Sequence, residues 1–253
     1  MRCLARWVFG GFLLALGALP VALYAAGDAA GAADYSKQRA RMVETVRAHA
    51  AQPGSGAPGG RISPRVLAAM AAVPRHLLVP KRYRRLAYAD RPLPIGYGQT
   101  ISQPYIVALM TELLGAGRQQ VVLEVGTGSG YQAAVLSRLV RHVYTMEIVE
   151  GLARRAAADL ARLGYGNVTV RAGDGYRGWP EHAPFDAIMV TAAPKVIPPP
   201  LIAQLKPGGR LVMPLEGAFG RQSLMVIEKG ADGRIVRRKI IAVRFVPLTR
   251  NRR

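Results

Sequence analysis

Apolar and polar positions alternate in blocks along the second half of the chain. Short, mostly apolar runs typical of strands are separated by longer segments with the periodicity of a helix face. The strand-like runs are VVLEV (121–125), HVYTMEI (142–148), NVTVRAGDG (167–175), FDAIMVTAA (185–193) and RLVMPL (210–215), and the helix-like segments are YQAAVLSRLV (131–140), GLARRAAADLARLG (151–164) and PPPLIAQLKPGG (198–209). Repeated strand–helix units predict a parallel sheet with helices on both faces.

Two more apolar runs, SLMVIEK (223–229) and KIIAVRFVPL (239–248), follow without a helix-like segment between them. Such runs are typical of antiparallel strands added at one edge of a sheet. The predicted fold class is therefore α/β, with a doubly wound, mostly parallel, Rossmann-like sheet and antiparallel C-terminal edge strands. We expect this Rossmann-like core to span residues 118–253.

The region before the core has a helical pattern. Residues 35–52 place their apolar side chains on one face of a predicted amphipathic helix, and PGSGAPGG (53–60) predicts a flexible break after it. A second helix is expected to begin with Ser63 as its N-cap. We expect residues 35–110 to form a helical part that caps the substrate side of one domain, 35–253.

Residues 1–26 have the pattern of a targeting segment. Arg2 and Arg6 precede a long apolar run, and small residues near Ala26 offer a cleavage site. This pattern is typical of an export signal, and the length of the run leaves an uncleaved inner-membrane anchor as the alternative. The Ala/Gly-rich stretch 27–34 predicts a linker.

The formal charge of +20 is extreme, and only six of the 35 basic residues are lysines. A nucleic-acid-binding protein would be expected to gather such charge into a basic patch or stripe. Here the arginines form no long block, which favours charges dispersed over solvated surfaces. The single cysteine, Cys3, provides no disulfide framework and no cysteine-based metal cluster. We therefore expect neither a nucleic-acid partner nor a metal.

A glycine-rich turn, EVGTGSG (124–130), follows the first strand of the core. Gly126, Gly128 and Gly130 would let the main chain turn sharply and approach a ligand closely. A dinucleotide fingerprint would need its third glycine where Tyr131 stands, and a phosphate-binding P-loop would need a Gly-Lys-Ser/Thr ending. The turn matches neither motif, so a ligand without a diphosphate is favoured.

Acidic residues follow the next two strands. Glu147 comes at the end of the second strand, where a carboxylate accepts hydrogen bonds from the hydroxyls of a ribose. Asp174, in AGDG after the third strand, belongs to the same sheet edge and could face an adenine ring. Recognition of ribose and adenine without a diphosphate loop predicts S-adenosylmethionine (AdoMet) as the cofactor.

Longer motifs carry a family resemblance. VLEVGTGSGYQAA, GDGYRGWPEHAPFDAIMVTAAP, LKPGGRLVMPL, RVLAAMAAVPRHLLVP and LPIGYGQTISQPYIVALMTELL closely resemble protein-L-isoaspartate O-methyltransferases, which are class I AdoMet-dependent methyltransferases. The first glycine motif and LKPGGRLV are common to methyltransferases in general. The combination of GQTISQPY and FVPL is specific to this family. The resemblance covers residues 35 to 249.

The resemblance implies a Thr-Ile-Ser loop over the cofactor. Ser102 then carries the hydroxyl that meets the reacting carboxylate, and Thr100 and Ile101 contact substrate beside it. The alternative for Ser102 is a helix N-cap before QPYIVALM. The predicted cofactor-binding residues, from the turn, the acidic positions and the resemblance together, are Glu124, Gly126, Thr127, Gly128, Ser129, Gly130, Glu147, Asp174, Gly175, Tyr176, Pro104, Tyr105, Val107 and Thr249.

The implied activity is methyl transfer from AdoMet to the free α-carboxylate of L-isoaspartyl residues in damaged proteins and peptides, which initiates repair through a succinimide. Such a carboxylate is ionised at pH 7, so the reaction requires no general base. The enzyme would be a protein-L-isoaspartate(D-aspartate) O-methyltransferase, with a monomer favoured. The family works in the cytoplasm, where AdoMet is made, which conflicts with the export-like leader.

Two other functions compete with this one. A nucleic-acid methyltransferase is the first, and enzymes of that kind that methylate amino groups carry an Asn/Asp-Pro-Pro-aromatic segment after the fourth strand, where this chain has TAAP (191–194). A non-catalytic AdoMet-fold protein would bind peptides or polyanions without turnover. Retention of Ser102, Glu147 and Asp174 argues against this second alternative.

Overall fold

A computed structural model describes the backbone of residues 29–250 and the side chains of residues 35–250. The helices are α1 (Ala29–Ala50), α2 (Pro64–Ala72), α3 (Pro104–Leu114), α4 (Tyr131–Ser137), α5 (Glu150–Arg162) and α6 (Pro199–Ala203), and short 3-10 turns cover Pro58–Gly60, Arg75–Leu78, Lys81–Leu86, Gly175–Arg177, Pro180–His182 and Ala218–Gly220. No helix in the described range is long and apolar enough to cross a membrane. The targeting segment expected at 1–26 lies outside the described residues.

Within the described residues, nine strands form two sheets. They are β1 (Leu93–Gly96), β2 (Gln99–Ile101), β3 (Val121–Val125), β4 (His142–Glu147), β5 (Val168–Ala172), β6 (Phe185–Val190), β7 (Leu205–Glu216), β8 (Gln222–Lys229) and β9 (Ile235–Val243). The large sheet has the order β5-β4-β3-β6-β7-β8-β9, and β1 pairs with β2 in a separate hairpin. Pairing is parallel from β5 to β7 and antiparallel from β7 to β9. The predicted α/β class and the antiparallel edge are confirmed.

Apolar periodicity explains these elements. Strand β3 is buried from Val122 to Val125, as expected for a strand covered by helices on both faces. Helix α5 buries Leu152, Ala153, Ala156 and Leu160 along one stripe and exposes its arginines on the other. Helix α2 begins as predicted, because the Ser63 hydroxyl accepts the N–H of Val66 at 3.4 Å.

Helix α3 packs against β6 and β7 of the large sheet, and α1 and α2 pack against α3. Nine of its eleven residues are buried. The expected helical part before the core is therefore continuous with the core in one hydrophobic cluster that reaches from Met42 to Val226. The loop that precedes α3 is consequently held against the carboxyl edge of the sheet.

The structure corrects two predicted boundaries. Helix α1 begins at Ala29, so the part of the expected linker 27–34 that the structure describes is helical, in line with its alanine content. The segment LKPGG, expected to end the helix after residue 198, instead starts strand β7 at Leu205, and α6 ends at Ala203. The pairing of Phe185 with Leu205 and the irregular register that follows place the glycines in the strand.

Candidate active site

A cleft opens at the carboxyl edge of the sheet, where the chain leaves β3 toward one side and β6 toward the other. Ligands of doubly wound sheets bind at such a point. The cleft encloses about 760 Å³, part of it open to solvent. We call it the cofactor lobe. Its walls include eleven of the predicted residues: Thr100, Ile101, Ser102, Val107, Gly126, Thr127, Gly128, Ser129, Glu147, Gly175 and Thr249.

The glycine turn forms the floor of the cofactor lobe. The N–H groups of Gly126 and Thr127 both donate to the carbonyl of Met146, at 2.8 and 3.0 Å, which pins the turn to the end of β4. Gly126 has a φ of 102°, and a Cβ there would overlap the hydroxyl of Thr191. That hydroxyl donates to the Gly126 carbonyl at 2.7 Å. Only glycine fits this close approach.

Glu147 is held as an acceptor in the wall of this lobe. Its two carboxylate oxygens accept the main-chain N–H of Gly128 at 2.8 Å and of Val149 at 3.0 Å. The residue is 6% exposed. Each oxygen keeps a further lone pair, so the carboxylate can also accept two hydroxyl groups of a ligand.

Glu124 lies behind the turn and outside the wall of the lobe. It is fully buried in β3, where one oxygen accepts the Thr145 hydroxyl at 2.6 Å and the other has no partner among the described residues. Burial, opposed by the Thr145 hydrogen bond and assisted by the nearby Glu147, raises the pKa of Glu124 to about 8. The side chain is therefore mostly protonated at pH 7. The sequence predicts direct contact of Glu124 with the cofactor, but the structure places this residue inside β3, behind the turn that lines the lobe.

Gly130, Pro104 and Tyr105 also lie outside the wall. Gly130 packs closely against Leu160 of α5, and Pro104 is buried at the start of α3. The Tyr105 ring stacks on His49 with centroids 3.7 Å apart, and its hydroxyl donates to the Ser55 carbonyl at 2.8 Å. These three residues support the cleft from behind.

Asp174 lines an adjoining cavity of about 880 Å³ that shares Met146 and Gly173 with the cofactor lobe. Its carboxylate accepts the N–H of Tyr176 at 2.9 Å, which fixes the turn that carries Gly175. A Cβ on Gly175 would overlap Val125, so this turn packs directly on β3. Asp174 remains available to a ligand that extends from the lobe into the adjoining cavity.

The hairpin of β1 and β2 covers the cofactor lobe from above. The Ile95 carbonyl accepts a hydrogen bond from Arg155 at 2.5 Å, and Tyr97 at the tip lies against Gly151. The hairpin ends in Thr100, Ile101 and Ser102, all of which line the lobe. Its anchorage to α5 therefore places the Thr-Ile-Ser loop over the glycine turn.

Ser102 is not a helix cap. The N-cap of α3 is Gln103, whose side chain caps nothing, and the N–H of Tyr105 donates instead to Asp90 Oδ1 at 2.8 Å. The Ser102 carbonyl accepts from Arg75 at 2.7 Å. Within the described residues the Ser102 hydroxyl has no hydrogen-bond partner, so it is free to bind a ligand.

The segment after β9 closes the remaining side of the lobe. The N–H of Ala193 donates to Val246 at 2.8 Å, and the N–H of Leu248 donates back to the Ala193 carbonyl at 2.9 Å. The Tyr176 hydroxyl reaches Leu248 at 3.3 Å, so Tyr176 supports this segment from outside the wall. These bonds bring Thr249 into the lobe.

A second depression of about 1010 Å³ lies on the other side of Ser102. We call it the groove. It shares the walls Thr100, Ser102, Thr191 and Val246 with the cofactor lobe. Arg244 is the charged residue among its described walls, and it forms no ion pair with any residue that the structure describes. Ser102 thus stands where two binding spaces meet.

Thr191, Met146 and the 246–248 segment were missed in the sequence analysis. Thr191 directly follows β6 at the sheet edge, which was the signal available for it. Met146 precedes the acidic Glu147, and 246–248 belongs to FVPL, whose role the motif alone did not indicate.

The chemistry of the cleft is sparse. Glu147 is the one carboxylate among the described walls of the cofactor lobe, and no histidine is among the described walls of the lobe or the groove. No group of three His, Cys, Asp or Glu residues that could hold a metal occurs within the described range. The arrangement can therefore hold and align ligands, but it offers no general base beside Ser102.

Known proteins resemble this chain over most of its length. The family model for protein-L-isoaspartate(D-aspartate) O-methyltransferase matches residues 57–253. A curated relative from Syntrophobacter fumaroxidans, protein-L-isoaspartate O-methyltransferase 2, is 58% identical over 89% of this chain and 92% of its own length. Protein-L-isoaspartate O-methyltransferase 1 of Cupriavidus necator is 54% identical over 91% of this chain and 87% of its own length.

Solved structures show the same architecture. One protein-L-isoaspartate O-methyltransferase structure superposes with a TM-score of 0.73 at 30% identity and covers 84% of this chain and 66% of that protein. A structure from Plasmodium falciparum, described as the same kind of enzyme in complex with S-adenosyl-L-homocysteine, gives a TM-score of 0.70 at 24% identity over 84% of this chain and 99% of its own. At that identity the second comparison supports the fold.

Proposed function

The chain belongs to the protein-L-isoaspartate(D-aspartate) O-methyltransferase family, and we propose that its cofactor lobe and groove bring AdoMet and an isoaspartyl peptide together at Ser102. The enzyme transfers the methyl group of AdoMet to the free α-carboxylate of L-isoaspartyl residues in damaged proteins, which begins their repair. The assignment of the site rests on the wall that the cofactor lobe and the groove share. Ser102 lines both spaces, and its hydroxyl has no hydrogen-bond partner among residues 35–250.

The residues of the cofactor lobe fit an adenosine-containing ligand without a diphosphate. Glu147 has two acceptor oxygens aligned by main-chain N–H groups, as a ribose requires. The glycine turn lets the main chain approach closely, and Asp174 faces the adjoining cavity where a base would extend. When bound, AdoMet supplies a methyl group activated by a positively charged sulfur. Glu147, Asp174 and the glycine turn would hold it.

The groove would hold the peptide. An isoaspartyl residue carries its α-carboxylate on a short branch, which can reach past Thr100 and Ser102 toward the cofactor lobe. This carboxylate is ionised at pH 7 and is already a nucleophile, so the lack of a base beside Ser102 is consistent with the reaction. The hydroxyl of Ser102 would donate one hydrogen bond to the carboxylate and fix its direction.

Alignment would then supply most of the acceleration. Holding two reactants in a productive geometry lowers a barrier by about 7–11 kcal/mol in favourable cases. The covering hairpin and the 246–249 segment limit access of water to the reacting groups. Release from water favours reaction between an anion and a cation, because their charges cancel as the bond forms.

The decisive experiment uses two synthetic peptides that differ in one residue, isoaspartyl or normal aspartyl, together with methyl-labelled AdoMet. We expect base-labile label on the isoaspartyl peptide alone. Label on neither peptide, with AdoMet still bound, would contradict the proposal and would direct the search to RNA substrates or to a binding function without turnover.

We also propose that residues 1–26 export the chain or tether it to the inner membrane, and that the folded domain is a monomer. The basis for the first point is the charged start and long apolar run of this segment. Cell fractionation of the full chain beside a variant that begins at Asp28 tests the first point. Recovery of both proteins in the same cytoplasmic fraction would contradict export or tethering. Gel filtration at several protein concentrations tests whether the folded domain is a monomer.

A further inference from the structure

Arg75 is buried without a matching carboxylate. Its exposed fraction is 0%, and it lies in the turn that follows α2. Its Nε donates to the Ala87 carbonyl and its Nη2 to the Ser102 carbonyl, each at 2.7 Å. Its Nη1 has no partner among the described residues. Burying a guanidinium in this way is costly, and an apolar side chain of similar size is often as stable.

The positive charge of Arg75 is not neutralised nearby. Within the described range no carboxylate oxygen lies within 4.0 Å of it. Asp90 acts on it from a greater distance, and its oxygens are already engaged by His49, Gln103 and the N–H of Tyr105. Desolvation lowers the pKa of Arg75 to about 10, which still leaves it protonated at pH 7.

Both groups that Arg75 contacts beside the cleft are walls of the cofactor lobe. The guanidinium carbon lies 4.6 Å from the centre of the Tyr131 ring, and Nη2 holds the main chain of Ser102. The Thr-Ile-Ser loop is thus fixed from beneath by Arg75, while the carboxylate of Asp90 fixes the residues that follow it. The loop begins next to Gly98, which has a φ of 71°.

We infer that Arg75 is a positioning residue for the methyl transfer, which fixes the Ser102 loop and keeps a buried positive charge behind the place where the substrate carboxylate binds. This inference rests on the proposed function. The buried charge and the hydrogen bond to Ser102 affect different kinetic constants. The charge attracts the carboxylate most strongly before reaction, because the anion is neutralised as the ester forms, so the charge acts mainly on the KM for peptide. The hydrogen bond to Ser102 sets the direction of attack and acts mainly on kcat.

Two substitutions separate these parts. Arg75→Met removes charge and hydrogen bonds while keeping much of the apolar volume, and we expect the peptide KM to rise and kcat to fall, each by about tenfold. Arg75→Lys keeps a cation but cannot donate to two carbonyls in the fixed geometry of a guanidinium. We expect it to restore the peptide KM to within about threefold of the original while kcat remains low.

Arg65→Met is the matched control. Arg65 also donates to two main-chain carbonyls, those of Ala116 and Leu139 at 2.6 Å, but it lies away from the lobe and the groove. We expect Arg65→Met to lower the Tm and to leave both kinetic constants within twofold. The same isoaspartyl peptide, saturating AdoMet and a thermal melt of each variant are used throughout.

The outcomes are distinct. Folded Arg75→Met or Arg75→Lys enzyme with unchanged kcat and peptide KM would overturn the inference, and so would kinetic losses no larger than those of Arg65→Met. If Arg75→Met does not fold, the Arg75→Lys variant decides the question alone, through the split between KM and kcat. A wild-type enzyme that labels no isoaspartyl peptide would instead overturn the proposed function, and this inference with it.

Discussion

The carboxylate of Asp90 accepts the main-chain N–H of Tyr105 at 2.8 Å, so the helix after the Ser102 loop is capped by a residue fifteen positions earlier in the chain. The same carboxylate accepts from the Gln103 side chain at 2.9 Å. The serine that precedes the helix is consequently relieved of the capping role that its position suggests. At the start of α3, Asp90 therefore caps the helix, and the Ser102 hydroxyl remains available for a ligand.

Capping by Asp90 makes a stability prediction. Asp90→Ala removes the acceptor at the start of α3 and should lower the free energy of unfolding by about 1–2 kcal/mol. Ser63→Ala, at the local cap of α2, should lower it by a comparable amount. Urea denaturation measures both. If Asp90→Ala unfolds at the same urea concentration as the wild type, the distant cap contributes nothing.

Ser102→Ala should affect turnover and not stability. The hydroxyl makes no bond within the described protein, so its loss should leave the urea midpoint unchanged. Loss of one hydrogen bond to a charged substrate group should lower kcat/KM for the isoaspartyl peptide by about 10- to 100-fold, with AdoMet affinity within twofold. Calorimetric titration of AdoMet and peptide kinetics separate the two. Equal losses in AdoMet binding and turnover would contradict the role at the carboxylate.

Glu147→Gln should affect cofactor binding above all. The amide carries one acceptor oxygen in place of two and presents its NH2 group to a main-chain N–H. We expect AdoMet to bind about 10- to 100-fold more weakly, while kcat at saturating AdoMet stays within about threefold. Glu150→Gln is the control, because Glu150 is an exposed carboxylate at the start of α5 that pairs with Arg154. Equal effects of the two substitutions would argue against ribose recognition by Glu147.

The raised pKa of Glu124 predicts a dependence of stability on pH. The folded protein keeps this proton up to about pH 8, whereas the unfolded chain loses it near the ordinary carboxyl value. The stability from this proton is complete below the ordinary value and is lost as pH rises toward 8. The free energy of unfolding of Glu124→Gln should therefore rise relative to that of the wild type by about 1.4 kcal/mol for each pH unit between roughly pH 5 and 8. Urea denaturation at several pH values measures the difference, and a constant difference would show that Glu124 ionises normally.

Arg244 should bias the choice of peptide. Its unpaired charge in the groove favours isoaspartyl peptides that carry an acidic residue close by. Since the side chain is exposed, we expect a preference in kcat/KM of about two- to fivefold over the matched amide peptide at low salt, lost near 0.5 M salt. Arg244→Ala should abolish the preference, and Arg238→Ala, on the exposed surface of β9, should keep it. A preference that survives Arg244→Ala would assign it to another part of the molecule.

Local patterns predicted the sheet well. Strand β3 runs from Val121 to Val125 as predicted, because a short apolar run between turns has few alternatives. The sequence predicts the glycine turn and Glu147 at the same sheet edge, because the strand ends of a parallel sheet meet there. Both line the cofactor lobe. The expected role of Ser102 came from the family resemblance alone, because no local pattern indicated it.

Long-range pairings escaped prediction. The cap at Tyr105 depends on Asp90, and the position of Ser102 depends on Arg75, which lies 27 residues earlier. Neither relation has a periodicity that a sequence can show. Glu124 has the residue type of a ligand, yet it is buried because packed layers cover both faces of β3. Such facts depend on the complete tertiary arrangement.

The segment 246–249 carries a consequence for synthesis of the protein. Its hydrogen bonds with Ala193 and Tyr176 close the last side of the cofactor lobe. A ribosome makes this segment after the glycine turn, Glu147 and the Ser102 loop. A nascent chain can therefore fold most of its sheet and still lack a closed lobe, and we expect methylation to begin only after this segment has emerged and docked.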